Sequence, residues 1–214
     1  MATLSAVNQA MPEKPRYYWA RVVSDVLSPP IVWMVASLLV AWVVSNSFVE
    51  GVYWAFIYSW FVCIMPVIFI LYQVWMGEIG DIHMKYRHER YKPLAITLGS
   101  NLVGWALLHA LNAPVAIEIL AIMSFLEVGI ISFVTLYWQI SMHTMAITGA
   151  TIAMGIVFNV PLAILMTPLI MLVGAARMRL DRHTPAQVFA GAMVGAITPV
   201  VLFLLASPIL YVVL

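Results

Sequence analysis

Residues 52–75 of the chain read VYWAFIYSWFVCIMPVIFILYQVW and contain no charged side chain. A helix needs about 20 predominantly apolar residues to cross the hydrocarbon core of a bilayer. This stretch is long enough to do so, and it is one of several apolar runs in the chain. The membrane therefore decides the fold, and we expect a helix at each such run.

The whole chain has the composition of an integral membrane protein. Of its 214 residues, 64% are hydrophobic and 9% are charged, and the mean hydropathy is +1.01. Soluble domains have about 25% charged residues. A net charge of +1 favours no particular partner, and we expect no nucleic-acid partner. The single cysteine, Cys63, lies in an apolar run, which excludes a disulfide framework and a cysteine-rich metal site.

Polar or turn-forming residues divide the chain into seven apolar runs. They predict an all-α fold, a polytopic membrane helix bundle with six to seven transmembrane helices. The fifth and sixth runs have about 16 residues and would reach only ~24 Å, so we expect short helices there. The runs lie near 31–45, 52–75, 93–111, 115–138, 144–158, 162–176 and 188–214.

The first 28 residues differ from the rest of the chain. They contain several charges and lack the long apolar core of a signal peptide. We expect residues 1–28 to form a polar N-terminal lead-in at the membrane surface. Residues 29–214 then form a single transmembrane helical domain.

The basic residues indicate the orientation of the bundle. All ten fall on one side of the seven-span arrangement, in the N-terminal segment and in residues 76–92 and 177–187. The loops on the other side carry only Glu50. The positive-inside rule therefore places the N-terminus and these polar segments in the cytoplasm.

Three polar segments, 76–92, 141–143 and 177–187, are separated from one another by two spans each, so they emerge on one face. Together they hold four histidines, two lysines and five arginines. A basic rim that binds anionic lipid headgroups would explain the arginines. It does not explain the histidines, which add little charge at neutral pH.

Each polar segment contains a motif. The three motifs are Lys85-x6-Lys92-Pro93, Ser141-Met142-His143 and Arg177-x5-His183-x3-Gln187. In this order and spacing they resemble the Lys-x6-Arg-Pro, Pro-Ser-Gly-His and Ser-Arg-x5-His-x3-Asp motifs of the type 2 phosphatidic acid phosphatase superfamily. The resemblance covers roughly residues 50–214 and is closest to a divergent bacterial branch. It implies the fold of that superfamily and a bacterial inner membrane.

The resemblance also implies an activity: hydrolysis of a lipid or isoprenoid phosphate or diphosphate, without a metal or other cofactor, through a phosphohistidine. His183 then matches the nucleophile and His143 the residue that protonates the leaving oxygen. The implied partners are the bilayer and this membrane-borne substrate. The phosphate-binding positions are Lys85, Lys92, Ser141 and Arg177, with Arg87 and Arg90 beside the first motif.

Elementary chemistry agrees with these residue types. A transferring phosphoryl group spreads its charge over three oxygens, so positioned cations stabilise it, and an arginine fork binds two oxygens at once. Thr184 and Pro185 suit the start of the last helix, and Ser141 suits the cap of the fifth. Both helices would then direct free N–H groups at one anion.

Three positions depart from the superfamily motifs. Gln187 replaces the aspartate that orients the nucleophile, Met142 replaces a glycine, and Lys92 replaces an arginine. Glutamine can accept a hydrogen bond from the imidazole but adds no charge to stabilise an imidazolium. Thr184-x-x-Gln187 is also a capping box, which needs no catalysis. These changes are compatible with slow catalysis, an altered substrate or no catalysis.

Several acidic and histidine residues lie outside these roles. The Asn112 turn would bring His109 and Glu118 together. Glu127 lies near mid-membrane, where it either hydrogen-bonds between helices or lines a polar cavity. Asp81, His83 and His88 are weak evidence for a metal site.

Three other functions stay open at this stage. The first is a non-catalytic relative that binds lipid or serves as an accessory subunit with membrane-protein partners. The second is a cofactor protein in which His109 or His143 ligates a haem or chlorophyll. The third is a prenyltransferase of the aspartate-rich type, although Asp81 is followed by His83 and Lys85 rather than by further carboxylates.

Overall fold

A computed structural model describes residues 17–80, 82, 84 and 86–213, with side chains of the last helix as far as 206. Every regular element in this part of the chain is helical. The α-helices are α1 (Tyr18–Val26), α2 (Pro29–Val44), α3 (Phe48–Ser59), α4 (Met65–Trp75), α5 (Tyr91–Ala110), α6 (Val115–Thr135), α7 (Met142–Val157), α8 (Val160–Arg179) and α9 (Pro185–Val213).

The described helices are those of an integral membrane protein. Five helical segments are long and apolar enough to span a bilayer, namely 48–75, 87–110, 115–135, 160–179 and 185–206. The pair α1 and α2, bent by 44°, makes a sixth. Within the described residues, length and composition thus support five to six spans, against the six to seven expected.

Helix α7 accounts for the difference. It has 16 residues, and residues 143–151 are all buried because α2, α8 and α9 pack around it. A helix shielded from lipid in this way does not need the full hydrophobic length. The expectation of a short sixth helix is wrong. Helix α8 continues for 20 residues as far as Arg179, past the point where apolar residues give way to Arg177.

A π-helical turn, Trp60–Ile64, joins α3 to α4 without breaking the span. In this turn the Met65 N–H bonds to Trp60 O, and Pro66 has no N–H to offer Phe61 O. The Ser100 hydroxyl of α5 donates to that carbonyl at 2.6 Å. The backbone therefore widens locally at Val62 and Cys63 without leaving this carbonyl unpaired.

Small residues bring α7 and α9 into close contact. A Cβ atom at Gly195 would overlap Met145 O, and one at Gly191 would overlap Ser141 O. The Gly191-x-x-x-Gly195 spacing is therefore a packing device. Helices α7 and α9 run parallel, so their N-termini lie side by side where α8 ends. We call this the polar end of the bundle.

At the opposite end, the turn at Asn112 joins α5 to α6. Asn112 has a left-handed φ of 56°, a conformation that asparagine tolerates better than most residues. His109 Nδ1 lies 2.9 Å from Glu118 Oε2. The predicted pairing of His109 with Glu118 is confirmed.

Candidate functional site

A cavity of about 410 Å³ extends from the polar end into the bundle. Its walls come from α2, the π-helical turn and helices α4 to α8, and most of its lining is apolar. Among the described residues, the cationic or imidazole groups that line its polar end are Arg90, His143, Arg177 and His183. Residues from all three polar segments thus border one cavity, as the count of spans predicted.

His183 is held by the first turn of α9. Gln187 Oε1 lies 3.0 Å from the Thr184 N–H that donates to it, and 3.3 Å from His183 Nδ1. Since an amide oxygen only accepts, Nδ1 carries the proton and Nε2 has a lone pair. The Gln187 N–H bonds back to Thr184 Oγ1 at 3.4 Å. Gln187 therefore completes the capping box and orients the histidine with the same oxygen.

The His183 ring is neutral at physiological pH. It is only 7% exposed, and this burial, together with the nearby guanidinium groups of Arg177 and Arg90, lowers the pKa of His183 from 6.5 to about 3. The hydrogen bond to Gln187 acts in the opposite direction but is outweighed. A neutral imidazole with a free lone pair on Nε2 is chemically a nucleophile.

Two buried guanidinium groups flank this imidazole. Arg177 is 2% exposed and donates from Nη1 to Ser24 Oγ at 2.7 Å. Arg90 is 3% exposed and donates from Nε to Met84 O at 3.0 Å, and its Nη1 has no protein partner among the described residues. Among the described residues, Glu127 is the one carboxylate that lines the cavity, and it lies within α6, eight residues before the helix ends at the polar end. Such an arrangement suits an anion with several oxygens.

Helix α1 contributes a residue that sequence reasoning missed. His143 Nε2 donates to Ser24 O at 3.1 Å, and Ser24 Oγ accepts from Arg177. Ser24 and Ala20 are fully buried and four residues apart, which places both on one face of α1. That spacing of two small residues was the available signal. The N-terminal lead-in thus reaches the site.

Ser141 takes the predicted position at the N-terminus of α7. Its hydroxyl accepts from the Thr144 N–H at 3.3 Å, so the predicted cap is confirmed. Its own N–H donates to Gln187 O at 3.1 Å, which joins the first turns of α7 and α9. Ser141 is fully buried, but it does not line the cavity.

Other predicted phosphate-binding residues lie elsewhere. Arg87 is exposed, and Lys92 is an exposed residue whose Nζ lies 2.6 Å from Glu78 Oε2. This pairing lowers the pKa of Glu78. Two residues along a helix correspond to a rotation of about 200°, so Arg90 faces the cavity while Lys92 faces away. Lys85, with Asp81 and His83, lies outside the described residues.

Within the described part of the chain, no group of three or more His, Cys, Asp or Glu residues is placed to hold a metal ion. Comparisons with known protein families, curated proteins and solved structures give no match to this chain.

This geometry predicts that inorganic phosphate binds at the polar end of the cavity. Saturating phosphate should raise the apparent unfolding temperature of the detergent-solubilised protein by about 5 °C. The shift should disappear in Arg90→Gln and Arg177→Gln, because each removes a buried cation. Lys92→Gln is the matched control and should retain it. Equal shifts in all four proteins would contradict an anion site between Arg90 and Arg177.

Proposed function

We propose that this protein is a membrane-embedded, metal-independent histidine phosphatase that hydrolyses a lipid or isoprenoid phosphate or diphosphate. We further propose that it is a divergent member of the type 2 phosphatidic acid phosphatase superfamily. One observation carries the proposal. The buried neutral imidazole of His183, oriented by Gln187, lies between two buried arginines at the end of an apolar cavity.

The proposed reaction proceeds in two steps. In the first, His183 Nε2 attacks phosphorus, the bond to the leaving oxygen breaks, and protonated His143 gives that oxygen a proton. In the second, water attacks the phosphohistidine, His143 takes a proton from the water, and phosphate leaves. Arg90 and Arg177 stabilise the charge on the phosphoryl oxygens in both steps.

The cavity supports a substrate with a hydrocarbon chain. Beyond the arginines its lining is predominantly apolar, and its volume lies in the range of small-molecule sites, roughly 300–1,000 Å³. Ile31 of α2 and Leu71 of α4 line the cavity, and more than a third of each side chain is accessible. Helices α2 and α4 make little contact with each other. A lipid can thus reach the site sideways from the bilayer.

We also propose that the polar end faces the cytoplasm of a bacterial inner membrane. The described basic residues are Arg21, Arg87, Arg90, Lys92, Arg177, Arg179 and Arg182, and all belong to segments at this end. Glu50 and Glu118 belong to the opposite end. This asymmetry follows the positive-inside rule. A substrate would then be processed from the cytoplasmic leaflet.

The first test is phosphate release by the purified protein from a panel of lipid and isoprenoid phosphates in the presence of a chelator. The parent should release phosphate, and His183→Ala should reduce the rate at least ~10³-fold because the nucleophile is gone. His88→Ala is the matched control, since His88 is exposed and stacks on Tyr86 away from the cavity. It should keep the parent rate.

Full activity in His183→Ala would contradict the proposal. No release by a well-folded parent would also contradict it and would favour the binding or accessory role.

A second test concerns Gln187 and pH. Gln187→Glu keeps the capping box and adds a charge that raises the pKa of His183 and stabilises the imidazolium product. For Gln187→Glu we expect a higher kcat than the parent at pH 8. As the pH is lowered, kcat/KM of this variant should begin to fall at a higher pH than kcat/KM of the parent, because its His183 is protonated more readily. The parent should show no such fall from His183 above about pH 4, because the pKa of that ring is about 3.

Gln187→Leu is the control variant. It removes the hydrogen-bond acceptor of His183 without adding a charge, so it isolates the orienting role of Gln187. It should leave the pKa of His183 low and reduce kcat about 10- to 100-fold, because the ring loses the acceptor that fixes its tautomer. Superimposable pH profiles for all three proteins would show that Gln187 acts only as a cap.

A further inference from the structure

The membrane-embedded part of the cavity carries two described polar side chains that lack hydrogen-bond partners and that the proposed chemistry does not use. Glu127 of α6 is 1% exposed, Asn101 of α5 is fully buried, and both line the cavity. Neither carboxyl oxygen of Glu127 and neither polar atom of the Asn101 amide has a hydrogen-bond partner within the described part of the protein. Buried polar groups almost always have partners, so these four atoms point to a bound group.

Neighbouring polar side chains are satisfied within the protein. The Ser124 and Tyr58 hydroxyls lie 2.6 Å apart, and the Thr97 hydroxyl donates to Pro93 O at 2.7 Å. Both Ser124 and Thr97 also line the cavity. The missing partners of Glu127 and Asn101 are therefore not shared by every polar side chain on this part of the cavity wall.

The space around Glu127 is built into the helix packing. A Cβ atom at Gly149 of α7 would lie 2.7 Å from Glu127 Oε1 and 3.3 Å from the Trp33 ring. Glycine at this position therefore leaves room for the carboxyl group between α6 and α7.

The two side chains lie at a similar depth below the polar end. Asn101 is ten residues after Tyr91, the start of α5, and Glu127 is eight residues before Thr135, the end of α6. At 1.5 Å per residue, these separations correspond to roughly 15 and 12 Å along the helix axes. A molecule bound at Arg90 and Arg177 needs a chain of about this length to reach them.

We propose that Glu127 and Asn101 form a second subsite that binds a hydroxyl group on the hydrocarbon chain of the substrate. The inference rests on the proposed function for the phosphate end of that substrate. A charged carboxylate without a partner is strongly disfavoured in an apolar cavity, so Glu127 acts as a neutral carboxylic acid. The acid and the amide each present donors and acceptors, and a hydroxyl group matches both kinds, whereas a carbonyl group only accepts.

The test compares the binding of dodecyl phosphate with that of its ω-hydroxylated analogue, by calorimetry in detergent. The parent should bind the hydroxylated probe about ten-fold more tightly, because a site built to hydrogen-bond a hydroxyl rejects the analogue that lacks it. Glu127→Met and Asn101→Leu should abolish this preference and still bind dodecyl phosphate. Glu118→Gln is the control, since Glu118 pairs with His109 outside the cavity.

A further variant keeps the proposal testable if Glu127→Met or Asn101→Leu does not fold. Gly149→Ala removes no polar atom but places a methyl group against the Glu127 carboxyl group, so it should also reduce the preference.

A parent that binds both probes equally would overturn the proposal, as would a preference that survives in both the Glu127 and Asn101 variants. The readout is binding, so it separates this inference from the proposed function. In His183→Ala the preference should persist. If the protein is not a phosphatase, the parent releases no phosphate, yet the preference remains.

Discussion

The hydrogen bond from the Ser141 N–H to Gln187 O, 3.1 Å long, holds together the part of the bundle on which the site depends. It joins the first turns of α7 and α9, and it can form only because Gly191 and Gly195 let the two backbones touch. Gln187 contributes its main chain to this contact and its side chain to His183. The position of the imidazole is therefore coupled to the close contact between α7 and α9.

The electrostatics of the polar end follow from burial. Burial of His183 disfavours its protonated form, and the guanidinium groups of Arg177 and Arg90 add to this effect, so the pKa is lowered and the imidazole is neutral. The same two groups attract an anion with several oxygens. In the proposed reaction, one arrangement thus both prepares the nucleophile and binds the phosphoryl group that it attacks. It does so without the carboxylate that the superfamily motif carries at position 187.

Local features of the bundle were predictable from the sequence, and features set by long-range packing were not. The apolar runs, the caps at Ser141 and Thr184 and the pairing of His109 with Glu118 depend on residues close in the chain, and all were predicted. Ser24 was missed because it meets Arg177 and His143 only through the packing of α1. The orientations of Arg90 and Lys92 depend on the residue at which α5 begins. A sequence pattern defines a helix start only to within about two to four residues, and Arg90 and Lys92 are only two residues apart.

The most direct test of the account is to trap the covalent intermediate. An aryl phosphate with a good leaving group needs no proton from His143 for the first step, whereas the second step still needs His143 as a base. Radiolabelled aryl phosphate should therefore leave an alkali-stable, acid-labile phosphoryl group on the His143→Ala variant, at His183 in the digested peptide. A His143→Ala protein that hydrolyses the compound without labelling, or that carries the label at another residue, would contradict the account.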